Sequence, residues 1–143
     1  MKIIVVQGPN LNMLHKRDAS HYGNFTLDTI HSLISETYPD IEFTFFQSNM
    51  EGELLEVIQR ADEEYDGLII NPGAYTHTSI AILDALELCS IPKIEVHLSN
   101  IHKRESFRQH SITAKACDAQ ISGGKENSYL AAVHMLTLMT KTK

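Results

Sequence analysis

At 143 residues, 43% hydrophobic and 21% charged, the chain is long enough to bury one core without disulfides or metal and too short for two ordinary domains. Twelve Lys and Arg against 18 Asp and Glu leave a net charge of −6, which argues against nucleic acid, whose phosphates need clustered cations. No stretch reaches the length of a membrane span, the apolar run Ile3–Val6 is too short for a signal peptide, and Cys89 and Cys117 have no C-x-x-C spacing, so a reduced, cytoplasmic protein is expected.

Taken in chain order, short apolar runs alternate with helical patterns. Ile3–Val6 is β-branched and stops at Gly8-Pro9-Asn10, a strand closed by a turn. Leu27, Ile30, Leu33 and Ile34 recur at helical spacing behind Thr26, a candidate N-cap, and Pro39-Asp40 ends that helix. Ile41–Gln47 reads as a second strand. Ser48 and Glu51 have capping-box spacing ahead of the stripe Leu54, Leu55, Ile58 and Ala61. Leu68–Ile70 is a third strand ending at Asn71-Pro72-Gly73, and Thr76 or Thr78 is expected to cap the helix carrying Ile80, Ile82, Leu83, Leu86 and Leu88. A fourth strand spans Lys93–His97, and a short fifth lies around Ala119–Ile121 before Gly123-Gly124. The last helix carries Leu130, Val133, Leu136 and Leu138. Five nearly all-apolar strands separated by helices predict a single α/β domain with a flavodoxin-like, doubly wound, five-stranded parallel sheet.

In such sheets ligands bind beyond the carboxyl ends of the strands, near the point where strand order reverses. The segments following strands one, three and four are Gly8–Asn12, Asn71–His77 and His97–Asn100, all rich in Asn, His, Ser or Thr. Three polar loops on one edge predict a site. A flavin-phosphate loop is excluded by Pro9, which removes a backbone donor, and G-x-G-x-x-G and P-loop patterns are absent. A phospho-receiver site is excluded because Asn10 and Asn71 stand where acids are needed. The eight histidines lack metal-ligand spacing, so no metal and no cofactor are expected. By default spacing, Arg104 and Arg108, four apart beside Glu105, read as a solvated helix face.

Four blocks in this order carry a resemblance: Gly8-Pro9-Asn10-Leu11-Asn12, Tyr22-Gly23, Asn71-Pro72-Gly73-Ala74-Tyr75-Thr76-His77-Thr78-Ser79, and Glu95-Val96-His97-Leu98-Ser99-Asn100-Ile101-His102. The sequence closely resembles the type II 3-dehydroquinate dehydratases from Ile3 to about Leu138. The resemblance implies a metal-independent lyase that converts 3-dehydroquinate to 3-dehydroshikimate through an enolate with anti elimination. It implies Tyr22 as general base, Arg17 as its activator, Asn10 acting on the enolate through a water, and His97 as general acid. Asn71, His77, Ser99, Arg108 and the backbone at Leu98 and Ser99 would hold the substrate. Asp84 would reach the site across a subunit contact in a homododecamer built from trimers. Residues 11–25 would form a lid. There the family usually reads Leu-Gly-x-Arg-Glu-Pro, whereas this chain reads Leu14-His15-Lys16-Arg17-Asp18-Ala19.

The residue chemistry suits those roles. A phenol with an ordinary pKa near 10 is a poor base at neutral pH unless a cation holds the phenolate. One cation about 4 Å away, at an effective dielectric near 20, contributes about 4 kcal/mol, or about three pKa units. Histidine is the side chain best poised to protonate a leaving hydroxide. Glu95, two residues before His97 on a strand, points to the same face and would orient the imidazole. Two alternatives stay open at this level: a related lyase or hydrolase on the same scaffold, and a catalytically dead binding subunit.

Overall fold

The computed structural model describes residues 1–142. Five strands, β1 (Lys2–Gln7), β2 (Glu42–Gln47), β3 (Gly67–Asn71), β4 (Lys93–His97) and β5 (Ala119–Ser122), form one parallel sheet in the order β2-β1-β3-β4-β5. This is the flavodoxin-like order, and its switch point lies between β1 and β3. The helices are α1 (Ala19–Tyr22), α2 (Leu27–Thr37), α3 (Glu51–Glu64), α4 (Ile80–Leu88) and α5 (Asn127–Lys141).

Alternation along the strands divides the core in two. Ile3, Val5, Ile69, Ile94 and Val96 face Ile30 and Ile34 of α2 and Tyr129, Val133 and Leu136 of α5. Ile4, Val6, Leu68 and Ile70 face Leu54 and Ile58 of α3 and Ile82 and Leu86 of α4. Both faces of the sheet are therefore covered, which is why the strands read as unbroken apolar runs. Glu95 and His97 interrupt the run in β4 and share the face opposite Ile94 and Val96, as period-two geometry requires.

Helix starts follow the sequence in one case and depart from it in two. Thr26 caps α2 by accepting from the Thr29 amide. The capping box from Ser48 to Glu51 does not form: the N-cap of α3 is Met50, while Ser48 Oγ accepts from the Met50 amide and lies 2.5 Å from Glu53 Oε2. The cap of α4 is Ser79 rather than Thr76 or Thr78, because a 3-10 turn over Gly73–His77 delays the helix. Leu138, placed on the core stripe of the last helix by sequence, is exposed.

Asp62, near the end of α3, ties down the α4–β4 connection. Its carboxylate accepts from Cys89 Sγ at 3.0 Å, from the Ser90 amide and hydroxyl at 2.8 Å each, and from the Ile91 amide at 3.4 Å. Desolvation alone would raise its pKa, but these donors outweigh it and lower it to about 2. The same contact and burial push the Cys89 thiol up to about 12, so this cysteine stays neutral. A carboxyl depressed in the folded state stabilises above its ordinary pKa and loses that contribution as pH falls through the depressed value. Wild-type protein is therefore expected to lose urea resistance between about pH 4 and pH 2 more steeply than Asp62→Asn, measured by denaturation midpoints.

Candidate active site

The carboxyl ends of β1, β3 and β4 converge on a small cleft lined by Leu11, Arg17, Tyr22, Asn71, Gly73, Ala74, His77, His97, Leu98, Ser99, Ile101, Arg104 and Arg108. Gly8 makes that convergence possible. Its amide donates to the Asn71 carbonyl at 2.7 Å, and a Cβ there would come within 2.4 Å of the Pro72 carbonyl oxygen.

The segment 11–25 folds over the cleft as a 3-10 turn, Leu11–Lys16, followed by the single turn α1. Asp18 caps α1 by accepting from the Ser20 amide, which makes Ala19 its first residue. Proline is favoured at that position for its fixed φ, and alanine adopts the same conformation, so Ala19 keeps the geometry that the family's proline favours. Gly23 follows at φ 84°, with the Phe25 ring filling the space of a side chain: a Cβ would lie 2.1 Å from Phe25 Cζ.

Two guanidinium groups meet the Tyr22 hydroxyl. Arg17 Nη2 donates to Oη at 2.5 Å and Arg104 Nη1 at 2.8 Å, and Arg17 also lies over the ring at 3.9 Å from its centroid. Arg104 Nη1 reaches Ser99 Oγ at 3.3 Å as well. Arg104 is therefore no part of a solvated helix face. Residues 101–108 form two 3-10 turns, Ile101–Lys103 and Ser106–Arg108, and the Arg104 side chain is 9% exposed. Helical spacing concealed it; its place just beyond the Glu95–His102 block was the available signal. Glu105 Oε2 lies 3.6 Å from Arg104 Nε and 3.1 Å from Arg108 Nε. Burial lowers the Arg17 pKa from its ordinary value; Tyr22 opposes the shift, and Arg104 and Arg108 add to it. Three such cations around one cleft favour an anionic ligand.

Across the cleft, His97 Nε2 meets Glu95 Oε2 at 2.9 Å, both side chains buried. A carboxylate accepts, so Nε2 carries hydrogen and Nδ1 is the nitrogen left for a ligand. Burial alone would raise the Glu95 carboxyl. The hydrogen bond and charge of His97, with donors from Thr113 and Gln120, outweigh burial and hold it below its ordinary range. His77 Nδ1 donates to the His110 carbonyl at 2.8 Å, which leaves its Nε2 free.

Asn71 is held from two sides: its Nδ2 donates to Tyr129 Oη at 3.0 Å, and its Oδ1 accepts from the Gly73 amide at 3.1 Å. Tyr129 Oη in turn donates to Gln7 Oε1 at 2.7 Å. Burial is the main reason the Tyr129 phenol is raised to about 12, so it serves as a neutral relay. Tyr129→Phe leaves Asn71 Nδ2 and Gln7 Oε1 without that partner and is expected to cost about 1–3 kcal/mol in urea unfolding. Three expected residues do not line the cleft: Glu95 is fully buried against His97 Nε2, and the other two lie outside. Asn10 is exposed at φ 67°, its amide donating to Asn49 Oδ1 at 2.9 Å, and Asp84 is exposed on α4.

A larger groove of about 890 Å³ lies at the opposite, amino-terminal edge of the strands, against Tyr38, Tyr65, Pro92 and His134. It has no buried ion pair or clustered cations such as the cleft has, so the cleft is the candidate site. Among the described residues no group of three or more His, Cys, Asp or Glu is arranged to hold a metal ion, and no helix is long and apolar enough to cross a membrane.

The family model for dehydroquinase class II matches residues 1–137. A 3-dehydroquinate dehydratase of Thermotoga petrophila is 53% identical over 138 residues, 95% of this chain and 94% of that protein. One of Clostridium perfringens is 51% identical over the full length of both chains. The crystal structure of a type II dehydroquinase from Butyrivibrio crossotus superposes with a TM-score of 0.93 at 46% identity, covering 96% of this chain and 97% of that one. With a cationic clamp on a tyrosine facing a buried His–Glu pair on this sheet, the chain belongs to the type II dehydroquinase family.

Proposed function

We propose that the protein dehydrates 3-dehydroquinate to 3-dehydroshikimate, a step shared by aromatic biosynthesis and quinate breakdown. The observation that carries this reading is the Tyr22 oxygen held by Arg17 and Arg104 in the same cleft as His97, whose ring is held by the buried Glu95. Tyr22, as phenolate, takes the proton from the carbon beside the ketone and leaves an enolate. The enolate collapses and expels the hydroxyl on the next carbon. His97 Nδ1 delivers the proton that makes the leaving group water, while Glu95 stabilises the imidazolium. Acid and base on different elements across one cleft suit an anti elimination.

Arg108, Ser99 and the Leu98–Ser99 backbone take the substrate carboxylate, and Asn71 and His77 take hydroxyls. Asn10 acts on the enolate through a water. The cleft as folded encloses about 40 Å³, far below the roughly 300–1,000 Å³ of ligand pockets, so residues 11–25 act as a lid that opens for substrate. Asp84 completes the site of a neighbouring copy in a dodecamer of trimers. Supporting that role, Ile80 and Leu88 flank it one helical turn away on each side and are 66% and 81% exposed, an apolar face suited to burial against another subunit.

The test is direct: pure protein with 3-dehydroquinate, no added metal, and the rise of enone absorbance with time. Binding without turnover would overturn the enzymatic reading, and a monomer by sizing chromatography would overturn the role of Asp84.

A further inference from the structure

Glu95 lies fully buried within reach of more donors than a histidine partner needs. Gln120 Nε2 donates to its Oε2 at 2.7 Å, Ser111 Oγ donates to the same oxygen at 2.8 Å, and Thr113 Oγ1 donates to Oε1. Thr76 Oγ1 stands 3.1 Å from Oε2 but only 2.7 Å from Ser111 Oγ and 2.9 Å from Thr113 Oγ1. The Ala114 amide also donates to Ser111 Oγ, at 3.1 Å.

These distances assign the protons. Ser111 and Thr113 give theirs to the carboxylate, and Thr76 gives its proton to Ser111. Every hydrogen bond around Glu95 then points inward, as suits a carboxylate and not a carboxylic acid. The donors come from separate parts of the fold. Thr76 lies in the 3-10 turn after β3, Ser111 and Thr113 lie in the segment before β5, and Gln120 sits on β5 directly across from Glu95 in the sheet register. None of the four lines the cleft.

We propose that Gln120, Thr113, Ser111 and Thr76 are positioning residues that fix Glu95, and through it the ring of His97, for the dehydration. This rests on the reading of His97 as the acid. A carboxylate anchored by three donors, one of them braced by Thr76, holds the Nε2 side of the ring, so the Nδ1 side keeps one direction into the cleft. It also favours the imidazolium that proton delivery requires. The other titratable and charged groups around the pair are Lys93, whose Nζ donates to the Cys89 carbonyl, Asp118, which accepts from the Lys93 amide, and Cys117, whose thiol burial and Glu95 push up. Across the cleft stand Tyr22, Arg17, Arg104, Arg108 and His77.

The test uses the full chain with Thr113→Val, Gln120→Met and Thr113→Ser. Loss of one hydrogen bond to a charged group is expected to lower kcat about tenfold in Thr113→Val and in Gln120→Met, with KM moving less than about threefold. The alkaline limb of the kcat profile moves to higher pH, because a carboxylate with one donor fewer keeps more of its negative charge for the imidazolium. Thr113→Ser, which keeps the hydroxyl, restores both readouts. Folded variants with wild-type kcat and pH profile, a loss confined to KM, or no recovery in Thr113→Ser would overturn the cradle. Should Thr113→Val fail to fold, Gln120→Met on the partly exposed short strand decides alone. His97→Gln is made in parallel: full turnover there would overturn the acid assignment itself and the cradle with it, whereas inactive His97→Gln beside unaffected Thr113→Val and Gln120→Met would reject the cradle only.

Discussion

Tyr22→Phe is expected to lower kcat by about 10³-fold while the protein still folds and binds the reaction product, measured by enone formation and by calorimetric titration. The ring is buried and lies under Arg17, and phenylalanine fills the same space. What disappears is the single oxygen on which Arg17 and Arg104 converge. Two guanidinium groups are then left without that acceptor, at a cost of about 1–3 kcal/mol in stability, less where water reaches them. A variant that keeps most of its turnover would remove Tyr22 from the mechanism.

Arg17→Lys and Arg104→Lys form the second expected result. Each is expected to lose rate and to shift the acid-side rise of the kcat/KM profile to higher pH, because a cation near the phenolate is what lets a phenol act as a base near neutrality. Lysine keeps the charge but not the planar fork that lets Arg104 reach both Tyr22 and Ser99. With two cations on one oxygen, neither single change removes the whole effect, and the double variant is expected to exceed either one. The two arginines share an acceptor, so the cycle is expected to be non-additive. Profiles that superpose on wild type for both single variants would reject the coupling.

Much of this site could be read from the chain because its parts sit at strand ends. Asn71, His77 and His97 follow apolar runs whose direction and burial are local properties, and in a parallel sheet all such ends lie on one edge. Glu95 was legible by the same alternation that hides Ile94 and Val96. Arg104 was not, because helical spacing suggested an exposed face where the backbone instead makes two 3-10 turns. Ser48 and Thr76 misled for a related reason: a hydroxyl near a helix start looks like a cap whatever it bonds to. Ser48 instead braces Glu53, and Thr76 is drawn into the hydroxyl cluster at Glu95.

By itself the sequence determined the five strands, their parallel packing between helices and the edge on which the polar loops converge, since periodicity and burial are written residue by residue. Only the tertiary structure decided which charges meet. That Arg17 and Arg104, 87 positions apart in the numbering, close on one phenol oxygen, and that three hydroxyl and amide donors surround Glu95 with Thr76 behind them, depends on how loops from different strands are brought together. Hydrogen bonds and ion pairs act over a few ångströms and leave no period in the chain, whereas the hydrophobic pattern does.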